Sequence, residues 1–173
     1  MFENIIKNVH NRHPLIHCIT NYVSINDCAN IVLACGGAPI MAEDINEVSQ
    51  ITSICQGLDI NIGMLNDNKL SSMLKAGATA NELGIPVILD PVGAGSSDYR
   101  IKAVQNLMSN VQFGVIRGNV SEIKAIAAKQ GIHNIAVGVY ETMQKNKSAM
   151  GVEAGIALSL IHISEPTRRS YIS

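Results

Sequence analysis

Short apolar runs alternate with longer amphipathic segments from residue 2 to about residue 130. The runs are continuous rather than alternating, which is typical of strands buried on both faces of a parallel sheet. They predict strands at PLIHCIT (14–20), GAPIM (37–41), LDINIG (58–63), IPVILD (85–90) and FGVIRG (113–118).

The segments between these runs carry apolar residues at helical spacing and are bounded by capping residues or glycine. They predict helices at 2–11, 28–35, 42–55, 66–84, 99–109 and 119–131. The alternation predicts an α/β protein with a mainly parallel sheet and helices on both faces. Beyond Gly131, IAVGV (135–139) fits a strand and 143–157 fits either a helix or a loop.

The end of the chain has a different pattern. An apolar start, LSLIHI, leads into SEPTRRS without a turn or cap that ties it to the preceding segment. LSLIHISEPTR resembles one translated reading frame of a sequencing-library adapter. We therefore interpret residues 1–157 as part of a single natural domain and residues 158–173 as an artefactual tail. The alternative is a genuine strand followed by a disordered basic tail.

Composition narrows the class of partner. A net charge of −1 and an aromatic content of 3% argue against a nucleic-acid-binding surface. No stretch has the length of a membrane span and the N-terminus lacks a signal-peptide core, so we expect a cytoplasmic protein with no membrane partner. The four cysteines form no CxxC pair and are interpreted as buried, reduced side chains. The five histidines lack metal-ligand spacing.

Polar residues follow the predicted strands at the carboxyl edge of the sheet, where ligands bind in α/β proteins. Asp90 ends one strand, Arg117 ends the next, and Glu122 lies in the first turn of the following helix. Two carboxylates and an arginine at one edge fit a Mg²⁺-nucleotide site for phosphoryl transfer. Taken singly, Asp90 also fits a helix cap, Arg117 a structural salt bridge and Glu122 a favourable charge at a helix start.

A second group at this edge is uncharged. Thr20, Asn21 and Asn26 offer hydroxyl and amide groups that suit a neutral polar substrate, although a capped loop explains them equally well. Met41 follows a short strand. It fits either the wall of a pocket that holds a flat, polarizable ring or an ordinary place in the core.

Five stretches, PLIHCITNYV, GGAPIMAED, LDINIGML, GIPVILDPVGAG and VIRGNVSEI, together resemble the hydroxyethylthiazole kinase family in order and spacing. The resemblance implies a ribokinase-like α/β fold, with residues 1–157 as the N-terminal part of one kinase domain. It implies ATP-dependent phosphorylation of the hydroxyl of 4-methyl-5-(2-hydroxyethyl)thiazole with Mg²⁺ in thiamine salvage. It also implies a homotrimer with active sites between subunits.

The resemblance assigns substrate binding to Met41, Asn21 and Gly63, ATP binding to Arg117, and the metal site to Asp90 and Glu122. Family chains are longer, and their later half carries a nucleotide-binding threonine and a glycine-rich anion hole that have no counterpart here. We therefore assign no catalytic residue, and we expect a fold incomplete at its C-terminus and a chain that is inactive as written. The alternatives are a non-catalytic small-molecule binding module or another ribokinase-like kinase.

Overall fold

A computed structural model of the chain describes residues 2–129, 159–162 and 171–172, with side chains for residues 7–128. The strands are β1 (Leu15–Ile19), β2 (Ala38–Ile40), β3 (Gly57–Asn61), β4 (Val87–Asp90), β5 (Val115–Gly118), β6 (Ser159–His162) and β7 (Tyr171–Ile172). The helices are α1 (Phe2–Arg12), α2 (Ile25–Ala34), α3 (Val48–Ser53), α4 (Asp67–Glu82), α5 (Asp98–Asn110) and α6 (Val120–Lys129). The predicted strand at 135–139 and the segment 143–157 lie outside the described residues.

The strands form one sheet in the order β2-β1-β3-β4-β5-β6-β7. All pairs from β2 to β5 are parallel, whereas β6 pairs antiparallel with β5 and β7 with β6. The prediction of a mainly parallel α/β sheet is therefore confirmed. The pairing of Ser159–His162 with β5 does not test the origin of residues 158–173, which stays a prediction.

One face of the parallel sheet is covered across its centre. Seven side chains on this part of the face are buried: His17, Ile19, Leu58, Ile60, Val87, Leu89 and Ile116. We call these residues the covered face. The six apolar residues among them form the hydrophobic core together with apolar residues from α3 to α6, and these helices contact one another in sequence order. Successive strand residues point to opposite faces, so the unbroken apolar runs also contain apolar side chains of the opposite face, such as Ile88 and Val115.

The opposite face is covered only in part. Cys18, Asp59, Ile88 and Val115 are register partners across β1, β3, β4 and β5, and Arg117 continues this face along β5. We call these five residues the open face. Helix α2 lies on this side, since its Cys28 Sγ is 3.9 Å from the hydroxyl of Thr20, which is two residues beyond Cys18. Farther along the sheet, Ile88 is 41% exposed.

The short strand β2 is the edge of the sheet beyond β1. The amide of Ala38 points inward and donates to the carbonyl of Pro14 at 2.9 Å. Pro39 pairs with Ile16 in register and has no N–H to present on the outer side. Proline is common at such edges because it removes a ladder donor.

Two sequence-based expectations need correction. The helix predicted at 42–55 is only Val48–Ser53, and Ile45 and Ile54 are 38% and 57% exposed. The helix starts later than predicted because the Asp44 carboxylate accepts a hydrogen bond from the amide of Asn46. This Asx turn competes with helix formation. The cysteines are all free, but Cys35 is exposed rather than buried. No helix in the described part of the chain is long and apolar enough to cross a membrane.

Candidate active site

The carboxyl ends of β1, β3, β4 and β5 bring the predicted polar residues to one edge of the sheet. Asn61 and Asp90 are register partners at the ends of β3 and β4, and the amide of Asn61 donates to Asp90 Oδ2 at 3.0 Å. Arg117 Nη1 lies 3.3 Å from the same oxygen. The structure therefore joins Asp90 and Arg117, as the sequence predicted.

Asp90 is half-buried, and its neighbours have opposing effects on the pKa of its carboxyl group. Burial raises the pKa of Asp90, Arg117 opposes that effect, and the neighbouring charge of Glu122 adds to it. The net direction is upward, and burial of the carboxyl is the largest cause. The alternative role of Asp90 as a helix cap is wrong, because Ser97 caps α5 and accepts a hydrogen bond from the amide of Arg100.

Glu122 ties two loops together. Its Oε1 accepts from the amide of Gly93 at 2.9 Å, and its Oε2 accepts from the amide of Asn119 at 2.8 Å. The Asn119 side chain in turn accepts from the amide of Glu122, which completes a reciprocal capping arrangement at the start of α6. Glu122 is 8% exposed. The structure thus supports a helix-start role for this carboxylate and also places it next to Asp90, where its metal role stays a prediction.

Arg117 is the exposed member of the charged cluster. Its side chain is 46% exposed, against 19% for Asp90. The ion pair with Asp90 orients the guanidinium at the sheet edge, and its exposure leaves room for an anion on the solvent side. The salt bridge considered for this residue is present, and it is compatible with ATP binding.

The predicted substrate residues Asn21 and Gly63 lie together, and Asn61 connects them. Asn61 Oδ1 accepts from the amide of Gly63 at 2.8 Å and from the side chain of Asn21 at 3.4 Å. A Cβ on Gly63 would stand 2.9 Å from both Asn21 Nδ2 and Asn61 Oδ1, so this position requires glycine. None of these contacts involves Met41, which is partly buried after β2 and whose pocket role stays a prediction.

The sequence placed Asn61 at the ligand edge after its strand but gave it no role. It contacts Asn21, Gly63 and Asp90, and so it joins the uncharged group to the charged group. An asparagine at the end of the apolar run LDINIG was the available signal, because a polar side chain in a buried strand needs a partner.

Arg100 was also missed. From the first turn of α5 it donates to the carbonyls of Ile62, Gly63 and Val92 at 2.6, 2.8 and 2.9 Å. It therefore fixes the loop after β3 against the loop after β4. The signal was its position. A cation in the first turn of a helix is unfavourable with the helix dipole, so a compensating partner is expected.

His17 fixes the loop that follows β2. It is fully buried, with Nε2 2.8 Å from the carbonyl of Ala42 and Nδ1 2.9 Å from the hydroxyl of Thr52. Burial lowers the pKa of His17, against the opposing effects of the Ala42 hydrogen bond and of Glu47. The ring donates from Nε2 to the carbonyl of Ala42, which positions the segment just after Met41.

Comparison with known proteins gives the family of the chain. The family model described as the hydroxyethylthiazole kinase family matches residues 6–160. A hydroxyethylthiazole kinase from Clostridium acetobutylicum is 61% identical over 132 residues, which are 76% of this chain and 48% of that protein. One from Methanobrevibacter smithii is 48% identical over 138 residues, which are 78% of this chain and 48% of that protein.

A solved structure is similar in three dimensions. The hydroxyethylthiazole kinase protein from Pyrococcus horikoshii OT3 matches with a TM-score of 0.72 at 40% identity, covering 74% of this chain and 50% of that one. This similarity confirms the ribokinase-like fold expected from the sequence. The chain spans about half the length of these relatives.

Proposed function

Because the chain belongs to the hydroxyethylthiazole kinase family, we propose that it forms the alcohol-binding part, and part of the phosphate end, of an enzyme that phosphorylates 4-methyl-5-(2-hydroxyethyl)thiazole with ATP. The observation that carries the proposal is the Asn61 bridge. It joins an uncharged group, Asn21 and Gly63, to the charged group around Asp90. A kinase needs this juxtaposition, since its neutral acceptor must meet a triphosphate.

The uncharged end suits the alcohol. Asn21 and Asn61 offer amide groups, and the bare backbone of Gly63 lets a ring approach closely. Met41 supplies a polarizable wall on the next loop. The pocket residues therefore bind and orient the thiazole, with its hydroxyl directed toward the Asp90 end.

The charged end suits ATP and Mg²⁺. Arg117 is exposed enough to bind phosphate oxygens, and its planar fork matches them. Asp90 and Glu122 fit a magnesium ion because they place two carboxylates near each other at this end, and hard oxygen ligands are those that the ion prefers. When bound, the ion neutralises phosphate charge. No residue described here is assigned as the catalytic base.

We also propose that the whole protein is a homotrimer in the cytoplasm. Val23, in the loop of Asn21, is 90% exposed, and Ile31 and Leu33 on α2 are 61% and 56% exposed. Burying Val23 against another copy would place a neighbouring subunit beside the pocket. The free thiols of Cys18, Cys28, Cys35 and Cys55 fit a reducing compartment. Sedimentation velocity on the purified protein measures the oligomeric state.

Calorimetry with the thiazole alcohol tests the proposal directly. We expect the chain to bind it, and Gly63→Ala to weaken binding by about tenfold or more, because the new methyl group displaces Asn21 and Asn61. Gly114→Ala is the matched control, since its Cβ would meet only the Val87 carbonyl at 3.7 Å. Equal affinity in all three proteins would contradict the assigned pocket. Binding of the alcohol without binding of Mg-ATP would favour a non-catalytic binding module.

A further inference from the structure

Lys69 occupies an unusual place for a charged residue. It lies in the first turn of α4, and its side chain is only 4% exposed. Its ammonium group donates to the carbonyl of Thr20 at 2.6 Å and lies 2.7 Å from Glu43 Oε2. It also lies 4.5 Å from the centroid of the Tyr22 ring. A buried ammonium with this set of partners is satisfied on three sides.

The partners of Lys69 also bind each other. The Tyr22 hydroxyl donates to Glu43 Oε1, so one carboxylate accepts from both the phenol and the ammonium. Burial acts to raise the pKa of Glu43, but the hydrogen bonds from Lys69 and Tyr22 prevail and lower it. The ion pair therefore persists across the neutral pH range, and the three side chains form one polar cluster.

The cluster joins two segments that are distant in sequence. Thr20 and Tyr22 belong to the loop after β1, on either side of Asn21. Glu43 belongs to the loop after β2, two residues beyond Met41. Lys69 reaches both loops from α4 and fixes one against the other.

The same construction recurs in the next two helices. Lys69, Arg100 and Glu122 each occupy the third position after an N-cap residue. Arg100 fixes the loops after β3 and β4, and Glu122 fixes those after β4 and β5. Since these two residues hold the loops of Gly63 and Asp90, Lys69 has the equivalent place for the loops of Asn21 and Met41.

We propose that Lys69 is a positioning residue for substrate: it holds the loops of Asn21 and Met41 in the arrangement that receives the neutral alcohol. This inference rests on the proposed function for the identity of that ligand. The Lys69 side chain is 4% exposed and its ammonium is bound by the Thr20 carbonyl and Glu43, so it acts through the loops rather than on the reacting atoms.

The test compares Lys69→Met with Lys75→Met in the full chain. Methionine keeps the length of the side chain and removes its charge. Lys75 is a close control because it lies on the same helix and donates to a carbonyl of the same β2 loop, Ile45 at 2.8 Å, but from an exposed position. Amide hydrogen exchange is measured at residues 20–24 and 41–47 without ligand, and the dissociation constant for the thiazole alcohol is measured by calorimetry.

We expect Lys69→Met to accelerate exchange in both loops and to raise the dissociation constant about tenfold, as when only about a tenth of the molecules hold a competent pocket. Lys75→Met should leave residues 20–24 and the dissociation constant unchanged. Unchanged exchange in both loops of a folded Lys69→Met protein would overturn the proposal, as would an unchanged dissociation constant.

A second variant covers the case in which Lys69→Met does not fold. Glu43→Gln changes the more exposed partner, at 38%, and should shift exchange in both loops in the same direction by a smaller factor. No shift in either loop would count against Lys69. If the unsubstituted chain does not bind the alcohol, the proposed function fails, and hydrogen exchange alone decides whether Lys69 joins the loops.

Discussion

The two faces of the parallel sheet have different compositions although the same strands supply both. Every residue of the covered face is almost inaccessible, whereas on the open face Ile88 is 41% and the Arg117 side chain 46% exposed. The covered face is apolar except for His17, and the open face contains Asp59 and Arg117 beside Asp90. Stability therefore depends on one face, while the charges that the chemistry needs lie on or next to the other.

Two adjacent residues of β4, one on each face, give the most direct test of this difference in packing. Leu89 is fully buried on the covered face, and Leu89→Ala should lower the free energy of unfolding by about 2 to 5 kcal/mol. Ile88→Ala removes a similar side chain from the open face and should cost less than about 1.5 kcal/mol. Urea denaturation of both variants measures the difference. Equal losses would show that the open face is as well packed as the covered face.

Asp59 gives a second test, through pH. Burial and the nearby charge of Asp90, opposed by Arg117, raise the pKa of Asp59 from 3.8 to about 6. A raised carboxyl pKa means that the folded state binds the proton more tightly than the unfolded state. Its stabilising contribution is present below about pH 4 and is lost as the pH rises through 6.

Replacing Asp59 by asparagine removes the cost of the buried charge. We expect Asp59→Asn to raise the free energy of unfolding by about 1 to 3 kcal/mol at pH 8 and to change it little at pH 4. Urea denaturation at the two pH values measures the effect, and the low-pH value serves as the internal control. A destabilised variant at pH 8 would mean that the carboxylate of Asp59 has favourable partners.

The smallest effect on stability is expected at Arg117. Its ion pair with Asp90 is half exposed, so Arg117→Gln should change the free energy of unfolding by less than about 1 kcal/mol. Affinity for Mg-ATP should fall severalfold, because a phosphate partner is lost. Calorimetry with Mg-ATP checks the second effect. A large loss of stability with unchanged nucleotide affinity would show that Arg117 is structural.

The fold was largely predictable because apolar side chains on both faces of a strand, such as Ile88 and Leu89 on β4, leave a direct trace in the sequence. IPVILD and FGVIRG are continuous apolar runs, and both contain the strands predicted for them. The helix at 42–55 was overestimated because Ile45 and Ile54 have helical spacing without burial. Helical spacing shows only which residues could fit a helix. The Asx turn at Asp44 keeps the segment before α3 out of the helix.

The candidate site was predictable at strand ends and at Glu122 in the first turn of α6, but not at Lys69 and Arg100 in α4 and α5. Asp90 and Arg117 come directly after apolar runs, so topology alone brings them to one edge. Lys69 and Arg100 act on carbonyls 49 and 37 to 38 residues earlier in the chain. Such contacts depend on how helices pack on the sheet, which no local pattern encodes. Only the conflict of each cation with its helix dipole hints at a distant partner.

The edge strand β2 has a consequence for self-association. Strands of two molecules join edge to edge when each offers outward amides and carbonyls in register. On β2 the residue whose nitrogen points outward is Pro39, which carries no hydrogen, and the strand is only three residues long. A foreign strand would find no amide donor at the centre of this edge. The sheet is therefore protected against β-aggregation on the β2 side by one proline, without any charged residue in the strand.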